Sequence, residues 1–195
     1  DGSLCFEALF DKNLQVIHAS NPEVAERLQK LMGFAVQLNP SFYADAMWYE
    51  VETHLEFHRE WGLGSSSTLV SLVARWADVD AFELLQNTFG GSGYDVACAT
   101  ATGPITYRLE NGNPVVEAVD FAPSFQDKLR FLYTGQKQLS NKEVTRYRDL
   151  TFDKTSAVAK VNTLTQALLK ATSLEEFQKV LDDHESVLRG ILNLP

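Results

Sequence analysis

Two short stretches of the chain combine residue types that do chemistry together. The first is Trp61-Gly62-Leu63-Gly64-Ser65-Ser66-Ser67-Thr68. A helix start leaves backbone N–H groups without partners and carries a partial positive charge. Glycines just before it let the backbone come close to an anion. Gly62 and Gly64 stand where that approach is needed, and Ser65, Ser66 and Ser67 add hydroxyls able to donate to phosphate oxygens or to ligate Mg2+. Leu63 is expected to anchor the loop to the core. On pattern alone, a serine-rich helix start after a glycine turn reads equally well as plain structure. The stretch has no glycine run ending in Gly-Lys-Ser/Thr, so it is not a Walker loop. It also lacks the Gly-x-Gly-x-x-Gly of a dinucleotide fingerprint.

The second stretch is Gly90-Gly91-Ser92-Gly93-Tyr94-Asp95, an acid directly after a glycine-rich loop. A carboxylate so placed can take the proton of a substrate hydroxyl as it attacks a phosphoryl group. The plainer role for Asp95 is a helix cap. A histidine-based site is a third possibility, with His18, His54, His58 and His184 as its acid–base groups. His54 and His58 lie in a segment with strand-like alternation, which would hold them on one face about 13 Å apart. Chelation of a metal by that pair needs a helix instead. Cys5 and Cys98 form no Cys-x-x-Cys pair and no metal cluster, and both are expected to act as small core hydrophobes in a reducing, cytoplasmic setting.

These loops need elements to hold them. Leu4 to Phe10 and Leu14 to Ala19 read as strands across a turn at Asp11-Lys12-Asn13. Asn21-Pro22 opens a helix with a stripe of Val24, Leu28 and Leu31. Met47 to Phe57 reads as a strand running into the Gly62–Ser67 loop, and Leu69, Leu72, Val73 and Trp76 mark the helix after it. Ala81 to Thr88 and Tyr94 to Thr100 read as helices. Ile105 to Leu109 and Val115 to Phe121 read as a hairpin across Glu110-Asn111-Gly112-Asn113, and Leu129 to Tyr133 reads as a further strand. From Ser140-Asn141-Lys142-Glu143, a capping-box pattern, the chain is helical to Leu194. Thr172 to Glu176 interrupts that block. The fold class is therefore α+β.

The 195 residues suffice for one large domain or two small ones, and 45% are hydrophobic. A formal net charge of −9 argues against nucleic acid or an anionic membrane as the main partner. It leaves room for an anionic small molecule, because a local nest of backbone amides can bind phosphate inside an acidic protein. No apolar run approaches a membrane span. The chain opens on Asp1, which suggests processing or a piece of a longer protein. Asp182-Asp183-His184-Glu185 reads as a solvated helix face. Lys137, Lys142, Arg146 and Arg148 form a basic cluster, more simply an exposed helix start than a contact to an anionic substrate.

Taken together, Gly62-Leu63-Gly64-Ser65-Ser66 and the downstream Ser92-Gly93-Tyr94-Asp95 resemble two motifs of the GHMP kinase superfamily, which includes mevalonate, galactose, homoserine and phosphomevalonate kinases. Gly93-Tyr94-Asp95-Val96-Ala97 resembles the label sequence of its bacterial GYDIA family, with Val in place of Ile. The resemblance implies an ATP-dependent small-molecule kinase acting on a hydroxyl or phosphate of a mevalonate-like acceptor, with a sugar as the alternative substrate. Gly62, Leu63, Gly64, Ser65, Ser66 and Ser67 would hold the ATP phosphates, Ser66 and Glu83 would ligate Mg2+, and Asp95 would be the catalytic base. It also implies a ribosomal protein S5 domain 2-like N-terminal half over 1–125 and the start of a ferredoxin-like C-terminal domain over 126–195. Phe131 to Gly135 and the helix from Ser140 resemble the opening of that second domain. The superfamily's first and third motifs, and a Pro ahead of Gly62, do not occur in these residues. The chain is thus expected to span the middle of a family member and to be inactive on its own, the activity belonging to the intact protein. A non-catalytic ligand-binding protein of the same fold is the alternative.

Overall fold

The computed structural model describes residues 4–45, 47–135 and 147–192. It is mixed α and β, with two small antiparallel sheets of two strands each. The chain divides into two compact units, Asp1–Val119 and Asp120–Pro195.

The first unit opens with a hairpin of β1 (Ala8–Phe10) and β2 (Val16–Ala19), paired Ala8 to Ala19 and Leu9 to His18. Asp11 closes the turn, its Oδ1 accepting the backbone N–H groups of Asn13 (2.9 Å) and Gln15 (2.7 Å). Helix α1 (Pro22–Leu38) begins where Asn21 accepts the N–H of Val24 and Pro22 supplies a pre-set φ. Its core face carries Ala25, Leu31, Met32 and Ala35. At its end, Asn39 donates its side-chain amide to the carbonyl of Ala77 (2.7 Å), tying the end of α1 to the end of α2 (Ser65–Ala77).

Helix α2 buries Val70, Val73, Ala74 and Ala77. The expected stripe is displaced: Leu72 and Trp76 lie toward solvent. Trp76 is instead flanked by the rings of Phe42 (4.9 Å) and Tyr49 (5.7 Å). Helix α3 (Ala81–Thr88) is capped by Asp80 and buries Leu84 and Leu85. Helix α4 (Tyr94–Thr100) buries Val96 and Ala97 and packs against α2. Leu31, Val70, Leu84 and Val96 are fully buried, so each of the four helices contributes one of the largest side chains to the core. Strands β3 (Ile105–Glu110) and β4 (Asn113–Ala118) form a hairpin whose two-residue loop is Asn111-Gly112, both at positive φ. That is the mirror-image turn the right-handed strand twist favours.

Two expected strands do not form among the described residues. Met47 to Phe57 has no ladder partner among the described residues, and Trp48 is 84% exposed. Leu129 to Tyr133 is likewise unpaired, with Phe131 and Leu132 almost wholly exposed. Apolar and aromatic composition makes a strand possible, but a strand exists only through the hydrogen bonds of a neighbour.

In the second unit, Phe177 packs on Phe125 and Phe121, with ring centroids at 5.3 and 6.2 Å. Helix α5 (Lys154–Lys170) is capped by Asp153, and α6 (Leu174–Leu192) follows the expected break. The capping box at Ser140 to Glu143 lies outside the described residues, as do Lys137, Lys142 and Arg146. Among the described residues no helix is long and apolar enough to cross a membrane.

The start of α6 is held by a reciprocal cap. Ser173 Oγ accepts the N–H of Glu176 (3.2 Å), and the Glu176 carboxylate accepts the N–H (2.8 Å) and O–H (3.0 Å) of Thr172. The Thr172 N–H, then its hydroxyl, hold the Glu176 carboxyl below its ordinary pKa. A carboxyl with a depressed folded-state pKa contributes stability above its unfolded value and loses it as pH falls through the folded value. The gap in melting temperature between wild type and Glu176→Gln should therefore be open at neutral pH and narrow once the pH drops below about 4. A gap that stays constant from pH 7 to pH 3 would remove this account of the cap.

Candidate functional site

The glycine-serine loop is entered through a single 3-10 turn, Arg59–Trp61, rather than a strand. His58 starts that turn, its Nδ1 accepting the N–H of Glu60 (3.3 Å). Gly62 (φ 74°) and Gly64 (φ 74°) then both take the left-handed conformation. A side chain at either position would strain the backbone, so two glycines here follow from geometry. Leu63 between them is 59% exposed and does not anchor the loop to the core, contrary to expectation. The two reversals that flank it turn it outward.

Gly64 is the residue before α2 and offers no side-chain cap. The first bond of the helix runs from the N–H of Thr68 to the carbonyl of Gly64 (3.0 Å), and the Thr68 hydroxyl donates to the same oxygen (3.2 Å). The N–H groups of Ser65, Ser66 and Ser67 precede that bond and have no intrahelical acceptor. Ser66 is exposed, while Ser65 and Ser67 are half-buried. Their hydroxyls make no hydrogen bond among the described residues. The loop therefore presents unpaired donors and the positive end of a helix dipole.

The second loop turns through Gly90 (φ 68°), Gly91 (φ 108°) and Gly93 (φ 84°). Gln86 donates its side-chain amide to the Gly91 carbonyl (2.7 Å), and Ser92 Oγ accepts the N–H of Tyr94 (3.3 Å). The hydroxyl of Tyr107, on β3, donates to the Ser92 carbonyl. A Cβ on Gly93 would lie 2.8 Å from Phe82 Cδ1 and 3.1 Å from Tyr107 Oη, so this glycine is required by space as well as by φ. The Tyr94 ring meets Tyr107 edge-on at 5.8 Å.

Asp95 is the second residue of α4, and Gly93 occupies the capping position, so Asp95 is not the cap of its helix. Its carboxyl reaches the other loop. A Cβ built on Gly64 would stand 3.6 Å from Asp95 Cβ, 3.8 Å from Cγ and 3.9 Å from Oδ1. Packing of α4 on α2 thus sets the acid beside the open amide end of α2. Two stretches separated along the chain meet at one point.

Glu83 has a structural task. It is the third residue of α3, and its N–H donates to the capping Asp80 Oδ1 (2.7 Å). Its side chain is exposed, and no hydrogen bond or ion pair joins it to Ser66 or Asp95 among the described residues. No group of three or more His, Cys, Asp or Glu that could hold a metal occurs among the described residues. The histidines stay apart: His18 lies 3.9 Å from Glu7, His54 3.3 Å from Glu52, His58 caps a turn, and His184 belongs to α6 in the second unit. Cys5 and Cys98 are exposed, which corrects their expected place in the core. Cys98 lies one turn beyond Tyr94 and, through its hydrogen bond, is the main cause of the raised pKa of that phenol.

Phe82 and Tyr107 escaped the reading of the sequence. Neither belongs to a loop or a motif, and only the approach of α3 and β3 to Gly93 gives them a place here. Compared with known proteins, the chain matches no family model, and no curated protein or solved structure matches it.

Proposed function

We propose that this chain carries part of an ATP-dependent phosphotransferase of the GHMP kinase type, acting on a hydroxyl or phosphate of a mevalonate-like acceptor. The observation that carries the reading is the meeting of the two loops, with the Asp95 carboxyl against Gly64 at the start of α2. Phosphoryl transfer needs an anion cradle and a proton-accepting or positioning group within reach of one reacting centre. Here the cradle is Gly62 to Ser67, with Leu63 contributing backbone only, and the acid is Asp95.

A carboxylate beside a phosphate site repels the phosphate unless a cation stands between them. Mg2+ would relieve that repulsion, and the resemblance makes the Ser66 hydroxyl its ligand in the loop. Glu83 would join it only by swinging its exposed side chain toward Ser66, to which no hydrogen bond or ion pair joins it among the described residues. The bound ion would neutralise charge on the β- and γ-phosphates. The unpaired amides of α2 would hold the phosphates, and Asp95 would orient or deprotonate the acceptor. Ser66 and Asp95 are both exposed, which would let an acceptor and a nucleotide arrive together.

Calorimetric titration with ATP, with and without Mg2+, tests this reading. Sub-millimolar binding that needs Mg2+ is the expected result. Equal or undetectable heats under both conditions would favour the non-catalytic alternative, a protein that keeps the fold without the activity.

A further inference from the structure

We propose that Tyr107 is a positioning residue for Asp95, acting through the Ser92 carbonyl and the turn at Gly93; the proposal rests on the phosphotransferase reading above. The Asp95 carboxyl can only serve a reaction at the α2 terminus if α4 starts at a fixed height beside Gly64. Four residues of the preceding loop, Gly90 to Gly93, include three glycines, so the loop itself supplies little stiffness. The constraint comes from outside it.

The Tyr107 hydroxyl donates to the carbonyl of Ser92, the last residue before the capping Gly93. The Phe82 ring also lies against Gly93, and with the Tyr107 hydroxyl it leaves no room for a Cβ there. Tyr107 is itself fixed by the β3–β4 ladder, where it pairs with Val116. Its ring also supports Tyr94, the residue before the acid, edge-on. Asp95 is thus held by a hydrogen bond from a sheet to the loop that starts its helix. A phenol is protonated at neutral pH in any case, and burial raises the Tyr107 pKa further above its ordinary value.

The test compares three forms of the native full-length protein: wild type, Tyr107→Phe, and a form carrying 4-aminophenylalanine at 107, which restores an N–H donor on the same ring. ADP release is followed with Mg-ATP and a panel of mevalonate, phosphomevalonate, homoserine and galactose. Tyr107→Phe should lower kcat about 10- to 100-fold, the cost of a misplaced reacting group, while the KM for ATP stays within about twofold. The amino form should recover most of the lost kcat. An unchanged kcat in Tyr107→Phe overturns the proposal. So does a fall in kcat that the amino form does not recover, or one matched by an equal rise in the KM for ATP, because both are what general loosening would produce. Absence of acceptor-dependent ADP release by wild type itself is a different result: it removes the phosphotransferase reading, and the positioning role goes with it.

Discussion

Gly93→Ala should lower the stability of the protein by about 2–5 kcal/mol, read as a shift of the urea unfolding midpoint. Two independent costs combine. A non-glycine residue in the left-handed region costs about 1–2 kcal/mol, and Gly93 has φ 84°. Forcing a methyl group into filled space costs about 1–3 kcal/mol more, and the new Cβ would stand 2.8 Å from Phe82 Cδ1. Gly90→Ala separates the two. Gly90 also has positive φ, at 68°, but nothing lies within 4 Å of its would-be Cβ. It should show the backbone cost alone, about 1–2 kcal/mol. Equal losses for the two variants would mean that Phe82 and Tyr107 do not close on Gly93 as described.

Asp95→Asn should lower kcat by about 10²- to 10⁴-fold, the range for removing a general base. The substitution keeps size and shape and removes the charge and the proton acceptor. Asp95 is exposed and is not the cap of α4, so the fold does not depend on it. Loss of its favourable position near two helix starts costs only about 0.3–1 kcal/mol. A large loss of turnover with little change in melting temperature is thus the expected pair of results. If Asp95→Asn retained the turnover of the wild type, the assigned role would be wrong, whatever the loop at Gly62 binds.

The parts of the fold visible in the sequence are those decided within a few residues. Asn21-Pro22 starts a helix because the cap and the proline act on adjacent backbone groups. Asn111-Gly112 makes a two-residue hairpin turn because both residues tolerate positive φ. Thr172 to Glu176 breaks the helical block through bonds that span four residues at most. Strand identity is not local in this way. Met47 to Phe57 and Leu129 to Tyr133 have suitable composition, yet no neighbour among the described residues completes a ladder with either.

The candidate site divides along the same line. Its glycines and its acid stand out in the sequence because each is unusual where it is. The contact between Gly64 and Asp95 depends on how α4 packs against α2, and only a resemblance to a known motif pair suggested linking them. Tyr107 and Phe82 carry no local signal, since their role begins when β3 and α3 reach Gly93. Leu63 was misplaced because apolar character usually implies burial, whereas two left-handed residues beside it dictate where it points.

Helix α2 is secured unequally along its length. Its second half holds Val70, Val73, Ala74 and Ala77 in the core, and Asn39 takes up the carbonyl of Ala77 at its last turn. The first turn has an exposed Ser66 and a glycine in place of a cap. Fraying therefore starts at the serine end and stops where the buried residues begin. On the proposed function, an anion that paired with the first-turn amides would supply the partners this end lacks, and its binding and the winding of that first turn would become one event. The same weakness that leaves the donors open would then make the ligand the missing cap of the helix.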